Sequence, residues 1–206
     1  MNKESYNKIA NTWADYRNES FVSQLIIDFA EKLNPQGKVL DVGCGTGVPV
    51  ARFLAEKGLV VTGIDAAEKM IEIALSHQIP NAHFIVSDFF DFHPQETFDG
   101  ILAWDSFFHF PKKSQELIYP KVAQMLNSGG YLLFTHGDVD DEHTNPMMGE
   151  EFYYSAIPKE KIKELLEENG LELIYMHKDY KEKDTDRGLV VLAQKRLNND
   201  TQLINS

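Results

Sequence analysis

Val39-Leu40-Asp41-Val42-Gly43-Cys44-Gly45-Thr46-Gly47 is the stretch that decides how this chain folds. A short apolar run of strand character feeds straight into three alternating glycines, and a helical pattern follows. Strand, glycine turn and helix in that order form the unit of a parallel sheet with crossover helices. Glycine has no Cβ, so such a turn can be tight and a ligand can lie against its backbone. In an open sheet of this type the turn falls at the carboxyl edge of the strands, where ligands bind.

The alternation continues in both directions. Residues 59–64, 82–86, 98–103 and 131–135 read as strands, and 48–57, 67–76 and 112–126 as helices, with Pro120 as a kink in the last. A helix over 158–169 starts with proline and stops before Gly170. Strands 171–178 and 188–195 end the pattern as a hairpin at one edge of the sheet. Upstream, Tyr6, Ile9, Ala10 and Trp13 share a helical face, as do Val22, Leu25, Ile26, Phe29 and Leu33, and 34–37 stops the second helix. The class is α/β, a Rossmann-like doubly wound sheet of seven strands.

With 206 residues the chain suits one domain, read here as 1–196, with 1–34 as a helical lid, 138–157 as a capping loop and 197–206 as a polar tail. Asp and Glu number 32 against 20 Lys and Arg, so the net charge of -12 repels phosphate backbones and argues against a nucleic-acid substrate. Cys44 is the lone cysteine; no intramolecular disulfide or cysteine metal cluster can form, and it reads as a small filler in the loop. The N-terminus lacks the apolar core of a signal peptide, and no run approaches 18 apolar residues. The expectation is a cytoplasmic protein without membrane contact, monomeric or homodimeric.

Which ligand the glycines serve follows from what is missing. A nicotinamide dinucleotide fingerprint needs a glycine where Val48 stands, and a triphosphate loop needs a lysine that does not follow Gly47. Asp65 comes after the second strand, where a carboxylate can accept from both hydroxyls of a ribose; it can equally cap the helix near Ala67. Asp88 follows the third strand and can accept from an adenine amino group, with Phe89 beside it offering a backbone N–H and a ring face; a turn-forming aspartate is the other reading.

Together these segments resemble the class I S-adenosylmethionine-dependent methyltransferases, of the small-molecule kind. The resemblance runs through V-L-D-V-G-C-G-T-G at 39–47, G-I-D at 63–65, S-D-F at 87–89, F-D-G-I-L-A-W-D-S-F-F-H-F at 98–110 and L-N-S-G-G-Y-L-L-F at 126–134. It implies strand order 3-2-1-4-5-7-6 with the last strand antiparallel. It also implies S-adenosylmethionine as cofactor, bordered by Asp41, Gly43, Gly45, Gly47, Asp65, Ala66, Met70, Asp88, Phe89, Trp104 and Tyr16. The Asn/Asp-Pro-Pro-Tyr-like stretch of base and glutamine methylating enzymes is replaced by Ala103-Trp104-Asp105-Ser106, and no spaced metal-binding set occurs. The expected activity is therefore in-line methyl transfer to a small-molecule acceptor, without a metal. A non-catalytic module that only binds the cofactor is the alternative.

The acceptor side is less defined. His109 follows the fourth strand and His136 ends the fifth; a histidine titrates near neutrality, so each is a candidate base, against the alternative of a structural histidine. Tyr6 and Trp13 in the first helix, and Glu150, Tyr153 and Tyr154 in the irregular 138–155 segment, are candidates for the acceptor pocket.

Overall fold

β1 (Lys38–Val42) is buried along all but its first residue. A strand covered on both faces carries apolar residues without alternation, which is what Val39-Leu40-Asp41-Val42 provides. The computed structural model describes residues 2–18, 20–183 and 185–197; of the polar tail expected over 197–206, all but Leu197 lies outside them. β1 pairs in parallel with β2 (Val60–Asp65) on one side and β4 (Phe98–Ala103) on the other. β2 pairs in parallel with β3 (Ala82–Val86), and β4 with β5 (Leu126–His136). β9 (Thr185–Lys195) then runs antiparallel between β5 and β8 (Leu171–Glu182). The sheet order is β3-β2-β1-β4-β5-β9-β8. With the separate hairpin β6–β7 left out of the count, this is the order 3-2-1-4-5-7-6, and the last strand is antiparallel as expected.

Period-2 alternation assigns each strand residue to one of two cores. Leu40, Ile101, Leu132, Phe134 and Val191 face a cluster that includes α5 (Ile118–Met125) and α6 (Lys159–Glu168). Val39, Leu102, Leu133, Val190 and Leu192 face the other, with α2 (Gln24–Glu31) and α3 (Val50–Glu56). α4 (Glu68–Ser76) packs on β2 and β3 and meets α1 (Lys3–Asn18).

Three local expectations are corrected. The 1–34 segment is not one lid: α2 puts Leu25, Ile26, Phe29 and Ala30 into a core, and only α1 lies at the mouth of the site. The helix over 112–126 splits into a 3-10 segment (Lys112–Leu117) and α5, with Pro120 in the first turn of α5, where a missing N–H costs nothing. The 138–155 segment is not irregular. It folds as an antiparallel hairpin of β6 (Asp141–Met147) and β7 (Glu150–Ala156). Met148 and Gly149 both have positive φ, 51° and 85°, the backbone of a type I′ turn.

Candidate active site

The glycine turn leaves β1 with Gly43 and Gly47 in the left-handed region, at φ 72° and 74°. The backbone N–H groups of Gly43 and Cys44 both donate to Ile64 O, which ties the turn to the end of β2. A Cβ on Gly43 would lie 2.6 Å from the Cβ of Ser106, and one on Gly47 would lie 2.8 Å from the Phe84 ring. The missing side chains therefore let the segment after β4 and the ring from β3 close against the turn. Gly63 leaves similar room for the sulfur of Cys44, in keeping with a filler role.

A cavity opens over this turn. It is lined by Asp41, by 43–46 of the turn, by Asp65, Ala66 and Met70, and by Asp88, Phe89 and Trp104. Gly47 lies just behind the wall, against Phe84. Asp65 accepts from Gly45 N (3.0 Å) through one oxygen and from Ala67 N (2.8 Å) through the other. It thus caps α4 and clamps the turn, and each oxygen keeps a lone pair for a ligand. Asp88 accepts from Phe90 N (2.8 Å), so its turn-forming role is also realised. The Phe89 ring packs among Phe107 and Phe110 at the edge of a core.

Burial dominates the electrostatics. Asp41 is 3% exposed, and loss of solvent pushes its carboxyl up to about 7, opposed by Arg17 and reinforced by Asp65. Asp65 is pushed up to about 6 by the same cause, against its two backbone donors. Arg17 reaches the cavity from α1, where burial lowers its pKa and Asp105 opposes the change. Asp41 Oδ2, Thr46 Oγ1 and Ser106 Oγ are buried and have no protein partner, and all three residues line this one cavity. An unpaired buried polar atom costs about 1–3 kcal/mol, so three at one place mark where a polar ligand belongs.

α1 forms the mouth. Tyr6 and Trp13 line the cavity together with His109 from the turn after β4. Tyr6 Oη and His109 Nε2 are 2.9 Å apart. His109 Nδ1 lies 2.9 Å from the Tyr153 carbonyl oxygen and 2.7 Å from the Asn2 amide nitrogen. Burial lowers the His109 pKa to about 4, against a smaller pull from Asp105, so the ring is neutral at pH 7.

Other expected residues lie elsewhere. Tyr16 is 54% exposed and outside the cavity wall, because it points off the α1 face that carries Tyr6 and Trp13. His136 is buried with both ring nitrogens engaged, by Gly137 O and Gln115 Oε1 at 2.8 Å each; it is a structural histidine rather than an available base. Glu150 pairs with Lys8 of α1 at 2.7 Å, and the Tyr153 hydroxyl accepts from Lys112 N, so neither side chain reaches the cavity. Tyr154 lines a second cavity of about 330 Å³, bounded by the β6–β7 hairpin, Phe108 and Asp138. Asp105 borders both cavities. It has φ 57°, is held by two 2.8 Å bonds from Arg187, and donates its N–H to Thr135 Oγ1. The Arg187 guanidinium in turn covers the Trp104 ring at 4.7 Å.

Sequence reading missed Asn2, Arg17, Thr46, Asp105 and Arg187. Asn2 and Arg17 carried a usable signal, since both continue the helical face of Tyr6 and Trp13 at intervals of four. Arg187 had none, because it comes to the site only through strand pairing.

A family model described as a methyltransferase domain matches residues 13–176. The chain is 30% identical over 142 residues to a ubiquinone biosynthesis O-methyltransferase of Hydrogenovibrio crunogenus, covering 64% of this chain and 58% of the relative. It is 31% identical over 122 residues to glycine N-methyltransferase of Rattus norvegicus, covering 50% and 41%. The chain thus spans about half the length of the curated relatives it matches. Among solved structures it resembles a 1,6-didemethyltoxoflavin-N1-methyltransferase of Burkholderia thailandensis, with TM-score 0.74, 17% identity, and coverage of 94% of this chain and 87% of the other.

Proposed function

The chain belongs to the methyltransferase-domain family, and on that premise we propose that it transfers a methyl group from S-adenosylmethionine to a small-molecule acceptor. The observation that carries this reading is the convergence of Asp41 Oδ2, Thr46 Oγ1 and Ser106 Oγ, all without partners, on the cavity over the glycine turn. The residues present fit the cofactor's chemistry. Asp65 offers its remaining lone pairs to the ribose hydroxyls, and Asp88 accepts from the adenine amino group. Ala66 and Met70 supply wall between them. Asp41 suits the ammonium of the methionine part, and Arg17 its carboxylate.

When bound, the cofactor supplies a methyl group on a cationic sulfonium. The chain's own residues do the rest. Carboxylates of Asp41, Asp65 and Asp105 around the cavity favour a cation there. Trp104, under the Arg187 guanidinium, gives that region a rigid wall. α1 closes over the mouth and excludes water. Alignment of acceptor, methyl carbon and sulfur can by itself lower the barrier by about 7–11 kcal/mol. No group of three or more potential metal ligands occurs among the described residues, and the reading requires none.

Relatives carrying the names of ubiquinone-biosynthesis and glycine methyltransferases support a small acceptor, as does the net charge of -12. No helix among the described residues is long and apolar enough to cross a membrane. The cavity is complete within one chain, which suits a monomer or a homodimer. Titration calorimetry with S-adenosylhomocysteine is the test: one site per chain is expected, and no heat at millimolar ligand would sink the reading. Methyl transfer to any member of a phenol, amine, thiol and carboxylate panel separates an enzyme from a module that only binds the cofactor.

A further inference from the structure

We propose that Asp105 orients the methyl acceptor and that the acceptor is an amine, whose N–H donates to this carboxylate. The inference deepens the reading of the first cavity as an S-adenosylmethionine site and rests on it. Asp105 is the one residue, among those described, that lines both cavities. It follows Trp104 at the carboxyl end of β4, between the cavity over the glycine turn and the cavity of about 330 Å³ beside the β6–β7 hairpin. Its φ of 57° is unusual for a residue with a side chain, and bonds on every side hold it there. Its N–H donates to Thr135 Oγ1 at 2.8 Å, and the Thr135 hydroxyl returns a bond to Oδ1 at 3.3 Å. Arg187 Nε and Nη2 donate to Oδ1 and Oδ2, each at 2.8 Å.

A carboxylate oxygen has two lone pairs. Oδ1 has two donors and Oδ2 has one, so Oδ2 keeps an acceptor position. The Asp105 side chain is 32% exposed, against 10% for Arg187, so the carboxylate is the open member of the pair. An ionised carboxylate only accepts, so the group that meets it must bring a hydrogen. The other acids of the second cavity are spent on neighbours: Asp138 on Lys178, Asp186 on Lys181 and Asp141 on His143. None of them lines the first cavity. The rings of Phe108, Tyr154 and His143 stack in a row beside Asp105, at 5.9 and 5.4 Å between centroids, and suit a flat body that carries the reacting group.

The choice between N–H and O–H follows from where the proton would go. A hydroxyl must lose its proton as it is methylated. The histidines are engaged. The Asn2 amide nitrogen, fixed as a donor by its bonds to the Tyr153 backbone, stands 2.7 Å from His109 Nδ1, so Nε2 carries the proton and gives it to Tyr6 Oη. Both His136 nitrogens are occupied as well. Transfer to Asp105 would neutralise the partner of a nearly buried guanidinium and leave Arg187 an unpaired cation, which is costly. An amine avoids this. It binds as the ammonium or the free base, and the free base forms by loss of a proton to water. The nitrogen lone pair bonds the methyl carbon as the carbon–sulfur bond breaks, with that electron pair remaining on sulfur. The positive charge passes from sulfur to nitrogen, the N–H bond to Asp105 is kept, and the pair with Arg187 stays intact. The methylated ammonium releases its proton to water after it leaves.

Chemical-shift mapping with benzylamine, benzyl alcohol and benzoate tests this without turnover, since the three carry an amine, a hydroxyl and a carboxylate on the same ring. Benzylamine should shift the backbone amides of 135–137 and 154–156, with or without S-adenosylhomocysteine. The alcohol and the acid should bind about tenfold more weakly or worse, and Asp105→Asn should weaken benzylamine by a similar factor. Equal affinities for the three, no binding of benzylamine at millimolar concentration, or an unchanged affinity in Asp105→Asn overturns the proposal. Should Asp105→Asn not fold, a wild-type crystal soaked with benzylamine decides: its nitrogen belongs within hydrogen-bond distance of Asp105 Oδ2, and a nitrogen placed elsewhere overturns the proposal. Failure of S-adenosylhomocysteine to bind would count against the cofactor site instead, and the cofactor-free mapping would still report on Asp105. With S-adenosylmethionine, a methylated amine should lose about 100-fold in kcat/KM on Asp105→Asn, and its rate should rise with pH as the free base forms. Methylation of phenols, thiols or carboxylates and of no amine overturns the acceptor class.

Discussion

Gly43 and Asp41 show how single residues hold this site open and charged. A Cβ at Gly43 would meet the Cβ of Ser106 at 2.6 Å in a left-handed backbone. Gly43→Ala should therefore cost about 1–3 kcal/mol of stability and at least tenfold in S-adenosylhomocysteine affinity, by denaturant melts and calorimetry. Gly58 is the control, since its φ of 84° is as unusual but nothing lies within 4 Å of the added carbon. Gly58→Ala should cost about 1 kcal/mol through backbone strain and leave the affinity unchanged. Asp41 gives a pH effect with a definite sign. Its carboxyl titrates near 3.8 in the unfolded chain and at about 7 in the folded one. The folded state binds the extra proton between those values, so this stability is complete below pH 4 and is lost as pH rises through 7. Asp41→Asn removes the loss and should make the ligand-free protein about 2 kcal/mol more stable at pH 8, while weakening ligand binding. A ligand-free wild type whose melting temperature exceeds that of the variant at pH 8 would contradict this. The three glycines and the acids after each strand were legible because each is a local event: a turn needs glycine, and a carboxyl edge needs a ligand partner. The unpartnered state of Asp41 was not, because it depends on what β4 and α1 leave uncovered.

α1 and the β6–β7 hairpin are the elements that make a cavity out of a sheet edge. α1 is mostly polar and buries only Ile9, Ala10 and Ala14, so it docks through a small apolar cluster, Ala10 with Ala67 and Met70 flanked by Tyr6 and Trp13, together with specific bonds. Asn2 holds Tyr153, Ser5 donates to Glu151 O, and Asn7 bonds Glu68 and Lys69 N, while Lys3 pairs with Glu68. Hydrogen exchange should accordingly show α1 opening at lower free energy than α2 or β1. S-adenosylhomocysteine should raise the protection of α1. Asn2→Ala should lower it in α1 and β7 together, with β1 and β4 unaffected. Lys8→Ala removes only an exposed pair with Glu150 and should change stability by less than about 1 kcal/mol. The sequence hid the hairpin for a physical reason. β6 reads Asp-Glu-His-Thr-Asn-Pro-Met and is largely exposed, so it has no apolar alternation, and Met148-Gly149 is not a usual type I′ pair. α1 and α2 were visible as two helices, yet that only α1 reaches the cavity was not, because both show the same apolar spacing.

At the scale of the whole molecule, the sheet order gathers side chains that the chain keeps apart. Asp41 and Asp65 lie at the carboxyl ends of β1 and β2, Asp88 and Asp105 follow β3 and β4, and parallel strands bring all four to one edge. A ligand that contacts each of them links α1, the turn and three strand ends into one unit. Saturation with S-adenosylhomocysteine at 100 times its Kd should add about 2.7 kcal/mol and raise the melting temperature by about 5–10 °C. A protein of this kind that melts at the same temperature with and without the ligand would not be using this edge. The sequence by itself determined the sheet, the glycine turn and the acids on its carboxyl edge, since these follow from period and turn chemistry within a few residues. Only the tertiary structure decided which histidine faces the cavity. His109 meets Tyr6 and the Tyr153 carbonyl, while His136 is spent on Gln115 and Gly137. His136 ends β5 and His109 sits in the turn after β4, both beyond apolar strands, and what distinguishes them is the packing of α1 and β7, elements more than forty residues away in sequence from His109.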